Sequence, residues 1–167
     1  GHGWTLESVC GMLGNLQSES RINPGAWQGY VQPFPTPADK VGFGLTQWTP
    51  YTKYTDWAGT AYSSGNKQCD RIIYERDNKI QFYPTTNYPM TFEEFSQSTR
   101  DPGYLAQAFL YNYERPALPD PRTRAAQARA WYDYLNKYPS PLQPPVKKLP
   151  YWLIAYMGGV RHGSYRI

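Results

Sequence analysis

Histidine and cysteine are scarce in this sequence, with two of each. His2 and His162 lie near the two ends, so a structural zinc site has almost no ligands to draw on, and neither metal nor cofactor is expected. Cys10 and Cys69 permit one disulfide and no dense framework. Each sits on a predicted helix at a core-compatible position, which favours two buried thiols over a bridge. Val and Ile are also few, so the core must rely on Leu and on aromatic rings. No apolar run approaches the roughly 20 residues of a spanning helix, no signal peptide is visible, and a membrane is not expected as a partner. No Lys/Arg run exceeds Lys147–Lys148, and the scattered basic residues argue against specific nucleic-acid binding.

What is abundant is aromatic surface: 16 Tyr, 6 Trp and 6 Phe in 167 residues. Such rings combine flat apolar faces with polar edges, which suits sugar binding as well as core packing. The net charge of +4 and pI near 9.0 attract an anionic partner, and a bacterial wall polymer meets that condition. The length fits one compact domain. Because the sequence does not begin with Met, it is expected to be part of a longer protein.

Along the chain, Thr5 reads as an N-cap with Glu7 in the first turn. Leu6, Val9, Cys10, Leu13 and Leu16 then recur at helical spacing. Gly11 and Gly14 each cost this helix about 1 kcal/mol relative to Ala, through either loose packing or the close approach of another backbone. Residues 23–40 carry four prolines and no periodicity, as a long loop does. Gly42 to Trp48 reads as a short strand or hairpin piece, and Thr52 to Trp57 as a short helix. Lys67 to Lys79 looks helical. Thr91-Phe-Glu-Glu94 has capping-box spacing, and Asp101-Pro102 and Asp120-Pro121 each place a cap before a proline at the first helical position. The expected fold class is α+β, predominantly α-helical, with a small β or loop lobe beside a cleft. The catalytic domain is expected over residues 4–138, followed by a proline-rich linker and C-terminal extension over 139–167.

One carboxylate stands in an awkward place. Glu19 ends the first helix, where a negative charge opposes the helix dipole, and a glycine-rich segment whose backbone can approach closely follows it. Cleavage of a glycosidic bond needs a proton donor for the departing oxygen and stabilisation of an oxocarbenium-like centre. Glu19, flanked by Ser18 and Ser20, is the candidate donor. For a second carboxylate, Asp39 just ahead of Gly42 is the first choice. Glu114 is the second, although Arg115-Pro116 beside it also suits a structural ion pair. Trp27, Trp48 and Tyr51 are candidate stacking platforms, each with core packing as the alternative.

The run Gly11-Met-Leu-Gly-Asn-Leu-Gln-Ser-Glu-Ser20, with Asn23-Pro24, Gly42-Phe-Gly-Leu-Thr-Gln-Trp-Thr-Pro50 and Tyr113-Glu-Arg-Pro116, resembles the phage tail lysozyme family. More distantly it is similar to goose-type lysozymes and lytic transglycosylases, which share the order Glu-Ser, Gly-Leu-x-Gln and an aromatic-Asn element. The resemblance implies a lysozyme-like fold over roughly residues 4–138 and cleavage between N-acetylmuramic acid and N-acetylglucosamine. Glu19 matches the catalytic acid. Gly44, Leu45 and Gln47 match the cleft-lining segment, with Gln47 as a hydrogen-bond donor to an N-acetyl group. Tyr111 and Tyr113 match the third element, and Trp48 joins them as a substrate-binding residue. Thr46 departs from the Met usual in transglycosylases, and wider relatives manage with one Glu by using the substrate's own N-acetyl group. The implied partner is peptidoglycan, together with other phage tail proteins, and the implied setting is a virion tail or the extracellular wall. A transglycosylase and a non-catalytic wall-binding tail module are the alternatives.

Overall fold

The computed structural model describes residues 3–30 and 39–138. The expected linker and extension over 139–167 lie outside the described residues, as does most of the proline-rich part of the 23–40 loop.

The architecture is predominantly helical. Helix α1 (Leu6–Ser20) is capped by the Thr5 hydroxyl, which accepts from Ser8 N. α2 (Thr52–Ala58) and α3 (Gly65–Asp77) follow, with Ser64 rather than a later residue capping α3. α4 (Phe92–Gln97) carries the full capping box between Thr91 and Glu94. α5 (Pro102–Phe109) and α6 (Pro121–Lys137) start at the expected proline devices, with the Asp101 and Asp120 side chains accepting from Tyr104 N and Thr123 N.

α1, α5 and α6 pack on one another, and the two glycines of α1 make this possible. A Cβ on Gly11 would lie 2.7 Å from Leu105 Cβ and 3.0 Å from its carbonyl carbon, and one on Gly14 would lie 2.5 Å from the Arg124 carbonyl oxygen. Close approach of neighbouring backbones, not loose packing, therefore explains both residues. Contacts from Glu7 to Tyr132, Gly14 to Ala128 and Ser18 to Gln127 run in opposite senses along the two helices. α1 and α6 are thus antiparallel, and the C-terminus of α1 adjoins the N-terminus of α6.

Aromatic rings fill much of the core, where Val and Ile are few. Phe82 stacks on Phe92 at 4.8 Å and Phe109 on Tyr113 at 4.4 Å, while Trp48 stacks on Tyr54 at 4.5 Å under the glycine loop. Cys10 and Cys69 are buried free thiols, as their helical positions suggest.

The small β part of the expected lobe is not seen. Among the described residues there is no strand, only isolated bridges from Phe43 to Trp27 and to Trp48. Gly42–Trp48 is instead a tight loop. Gly44 (φ +81°) and Gln47 (φ +51°) turn the chain back before a ladder can extend. The loop is held by bonds across its neck, with Phe43 and Trp48 exchanging N–H···O contacts of 3.2 and 3.0 Å.

A second feature lies after α5, where the helix started at Asp101-Pro102 changes pitch. Residues Leu110–Glu114 form a π turn closed by Arg115 N donating to Leu110 O at 2.7 Å. Such turns insert an extra residue into a helix and are frequent at functional sites.

Candidate active site

A cleft of about 500 Å³ opens where the end of α1, the turn at Ala26–Gly29, the glycine loop and the π turn meet. Glu19, Trp27, Gln47 and Glu114 face it. Two lining residues, Arg21 and Gln47, have φ of +54° and +51° without being glycine, and Ile22 and Arg115, each next in the chain to a lining residue, have φ of +58° and +50°. Non-glycine residues in this left-handed region cost of order 1 kcal/mol each and cluster at functional sites.

The Glu19-Ser20 pair gains its meaning from the second residue. Ser20 Oγ lies 3.0 Å from Leu45 O and 3.1 Å from Leu16 O, so the hydroxyl ties the last turn of α1 to the glycine loop and brings Glu19 beside Gln47. From the other side, buried Gln68 of α3 clamps the loop. Its Oε1 accepts from Leu45 N at 2.7 Å, and its Nε2 donates to Pro24 O and Tyr62 O. A Cβ on Gly44 would sit 2.6 Å from that same Oε1, so glycine is required there for space as well as for its backbone angle.

Glu19 is not alone. Arg124 Nη2 reaches Glu19 Oε1 at 2.6 Å, with side chains 9% and 19% exposed respectively. Each charge sits at the unfavourable end of its own helix, the anion in the last turn of α1 and the cation in the first turns of α6. The antiparallel packing lets them neutralise one another. Arg124 is fixed in turn by Asn15, whose Oδ1 accepts from Nη1 at 3.0 Å. The Asn15 amide donates to Gly11 O and Ala106 O, which sets its orientation.

Glu114 completes the cluster. Its carboxyl is pushed well above the ordinary glutamate range by burial first and then by the negative Glu19, with Arg124 opposing and Glu75 adding repulsion. Among the described residues, Glu114 Oε1 and Arg124 Nε are buried without a hydrogen-bond partner.

A second polar network lies behind the cleft wall. Glu75 of α3 is 1% exposed and accepts from Trp48 Nε1 at 3.1 Å, from Arg71 Nε at 2.8 Å and from the Tyr113 hydroxyl. Burial still outweighs these three donors and holds its carboxyl above the usual range.

The expected site residues therefore separate into two groups. Glu19, Gln47 and Trp27 reach the cleft. Gly44, Leu45, Trp48 and Tyr113 are buried behind it, where they shape and brace the wall. Tyr111 is half-buried and stacks on Tyr88 with rings 5.6 Å apart. Tyr51 packs edge-on against Trp27 at 5.3 Å. Asp39 is exposed and is not among the residues placed around the cleft, whereas Glu114 is. The Gln47 side chain also faces differently from expectation. Its Nε2 donates to Ala26 O at 3.0 Å and Gly44 O at 2.9 Å, so both amide hydrogens are engaged and the oxygen is the atom left to bond elsewhere.

Arg124, Asn15 and Gln68 were not singled out from the sequence. Arg124 had a readable signal, a cation early in a helix, of the same kind that exposed Glu19 at a helix end. Asn15 and Gln68 had none, because their partners are distant along the chain.

A helical domain with a polar cleft, closed by an acid at a helix end and a glycine loop, is the arrangement expected of a lysozyme. The chain belongs to the phage tail lysozyme family, whose description matches residues 1–135. Membership implies a peptidoglycan-degrading lysozyme domain. Among curated proteins, it is 46% identical over 137 residues to morphogenesis protein 1 of Bacillus phage B103, covering 80% of this chain. The chain spans 36% of that relative's length.

Proposed function

We propose that this domain is a muramidase that cleaves the β-1,4 bond between N-acetylmuramic acid and N-acetylglucosamine, with Glu19 delivering the proton to the departing oxygen. The observation that carries this reading is the position of Glu19. It stands in the cleft wall, joined to the glycine loop through Ser20, and Glu114 lines the same cleft. Trp27 offers a ring on the same cleft for the apolar face of a sugar. Gln47 Oε1 suits an N–H or hydroxyl of the substrate, so its role is acceptor and not donor. The net charge of +4 favours approach to an anionic wall. Family membership and the phage relative support a virion tail as the setting, where local opening of the wall accompanies entry.

Glu19→Gln keeps the shape of the side chain and removes its acid function. It is expected to abolish clearing of wall suspensions, at least 100-fold, while circular dichroism and wall pull-down stay at the wild-type level. Undiminished clearing by this variant would falsify the assignment. Mass spectrometry of the digest decides the reaction type: reducing muramic ends indicate hydrolysis, and 1,6-anhydro ends indicate a transglycosylase.

A further inference from the structure

Arg21 occupies a place where glycine is the ordinary choice. α1 ends with Arg21 N donating to Gln17 O at 3.1 Å and Ile22 N donating to Leu16 O at 3.2 Å, the pair of bonds that closes a helix through a left-handed residue. Glycine takes that conformation without strain, whereas a side chain pays for it. Ile22, also left-handed, recovers the cost by burying its side chain, which is 4% exposed. Arg21 recovers nothing of the kind. It is exposed, and among the described residues its guanidinium has no hydrogen bond, ion pair or ring contact.

The same residue lines the cleft, two positions beyond Glu19, and among the described lining residues it is the one cation. Glu19 does not claim it, since that carboxyl is engaged by Arg124 at 2.6 Å. The two bonds at the helix end, with Asn23 N donating to Ser20 O at 3.0 Å, hold the backbone on both sides and fix the direction in which the side chain leaves. A strained residue at a cleft, whose side chain has no partner within the protein, points to a ligand.

We propose that Arg21 binds a carboxylate on the peptide arm of the muramic acid residue and so selects glycan strands that carry acidic stems. The inference rests on the muramidase reading and deepens it. Under that reading Glu19 serves the bond at C1 of this sugar, and the lactyl-peptide arm leaves the same ring at C3. A guanidinium suits a carboxylate because its planar fork offers two parallel N–H donors. A strand of N-acetylglucosamine alone presents no such charge. A cation after a helix C-terminus also interacts favourably with the helix dipole, but that contact acts on folding and leaves substrate affinity unchanged.

The test compares wild type, Arg21→Gly and Arg21→Lys on untreated wall, on wall whose carboxylates are converted to amides, and on wall stripped of phosphodiester polymers. Glycine fits the backbone, so Arg21→Gly should melt no lower than wild type. On untreated and stripped wall its half-saturating concentration should rise about tenfold, as loss of a charge-assisted bond implies, with the maximal rate unchanged. Arg21→Lys should recover part of the affinity, and on amidated wall all these proteins should half-saturate alike. Equal half-saturation by Arg21→Gly and wild type on untreated wall overturns the proposal, whatever the melting temperatures. So does a loss that persists on amidated wall. A loss that vanishes on stripped wall assigns Arg21 to a phosphate polymer and overturns it too. Failure of the wild type to clear wall overturns the muramidase reading instead, and co-sedimentation of each variant with the same preparations still decides the Arg21 contact.

Discussion

Residues that look alike in the sequence carry different burdens in this molecule. Trp27 faces the cleft, whereas Trp48 is 3% exposed and spends its indole N–H on Glu75. Glu75 gathers three donors from three segments, so Glu75→Leu is expected to leave Trp48 Nε1, Arg71 Nε and the Tyr113 hydroxyl without an acceptor. The cost should be about 3 kcal/mol in denaturant unfolding, with a looser glycine loop and slower wall clearing as a consequence. A loss below about 0.5 kcal/mol would show that the network does not brace the wall. The thiols make the contrary case of inert burial. Desolvation, with Glu7 adding repulsion, pushes Cys10 up to about 12, and desolvation raises Cys69 as well. Since thiolate is the reactive form, a maleimide reagent at neutral pH should label neither cysteine in the folded chain and both in denaturant.

At the scale of elements, helix ends were the most legible feature of the sequence. The Thr91 box and the Asp101 and Asp120 caps use only residues within one turn, so local spacing suffices to read them. Thr91→Ala should cost α4 about 1 kcal/mol. Gly11 and Gly14 were legible as anomalies but not as contacts. Which helix lies against each glycine depends on how α5 and α6 return to α1, more than ninety residues later. Gly14→Ala would set a Cβ 2.5 Å from the Arg124 carbonyl and 2.9 Å from Ala128 N. Backbone on both sides leaves nothing flexible to yield. The variant is expected to lose about 2–3 kcal/mol by overpacking, despite the better helix propensity of Ala. It should also lose activity, because the displaced backbone carries Arg124 away from Glu19. A more stable Gly14→Ala chain, by thermal melting, would contradict this packing. The short β element failed for a related reason. Gly42–Trp48 has strand-like residues, but a positive φ at Gly44 and at Gln47 closes the loop after a single bridged pair.

For the whole molecule, two buried carboxyls set the dependence of stability on pH. Glu75 and Glu114 both have folded pKa values raised by burial. A raised carboxyl pKa means that the folded state binds the proton more tightly than the unfolded chain. Their contribution is therefore complete below the unfolded glutamate value and is lost as pH rises through the folded values. The lowered carboxyls of Glu94, Asp101 and Asp120, held by their caps and by Arg129, act in the opposite sense and lose their contribution in acid. Unfolding free energy should thus peak in mildly acidic solution and decline as pH rises above the unfolded glutamate range. Glu75→Gln, which imitates the neutral carboxyl, should flatten the decline in urea titrations. Stability of the wild type that climbs steadily above that range would refute the sign.

By itself the sequence determined the helical character, the caps, the aromatic core and the singular position of Glu19. All of these follow from interactions within a few residues or from composition. Only the tertiary structure decided what Glu19 works with. Its ion pair with Arg124 closes across 105 residues of chain and the Asn15 contact behind it across 109. The raised affinity of Glu114 for its proton is a property of burial and of neighbours from three helices, which no spacing along the chain records. Tertiary packing likewise turned Trp48 and Tyr113 from expected sugar contacts into supports of the cleft wall. Whether a ring faces solvent or a buried carboxylate is settled by the elements packed against it.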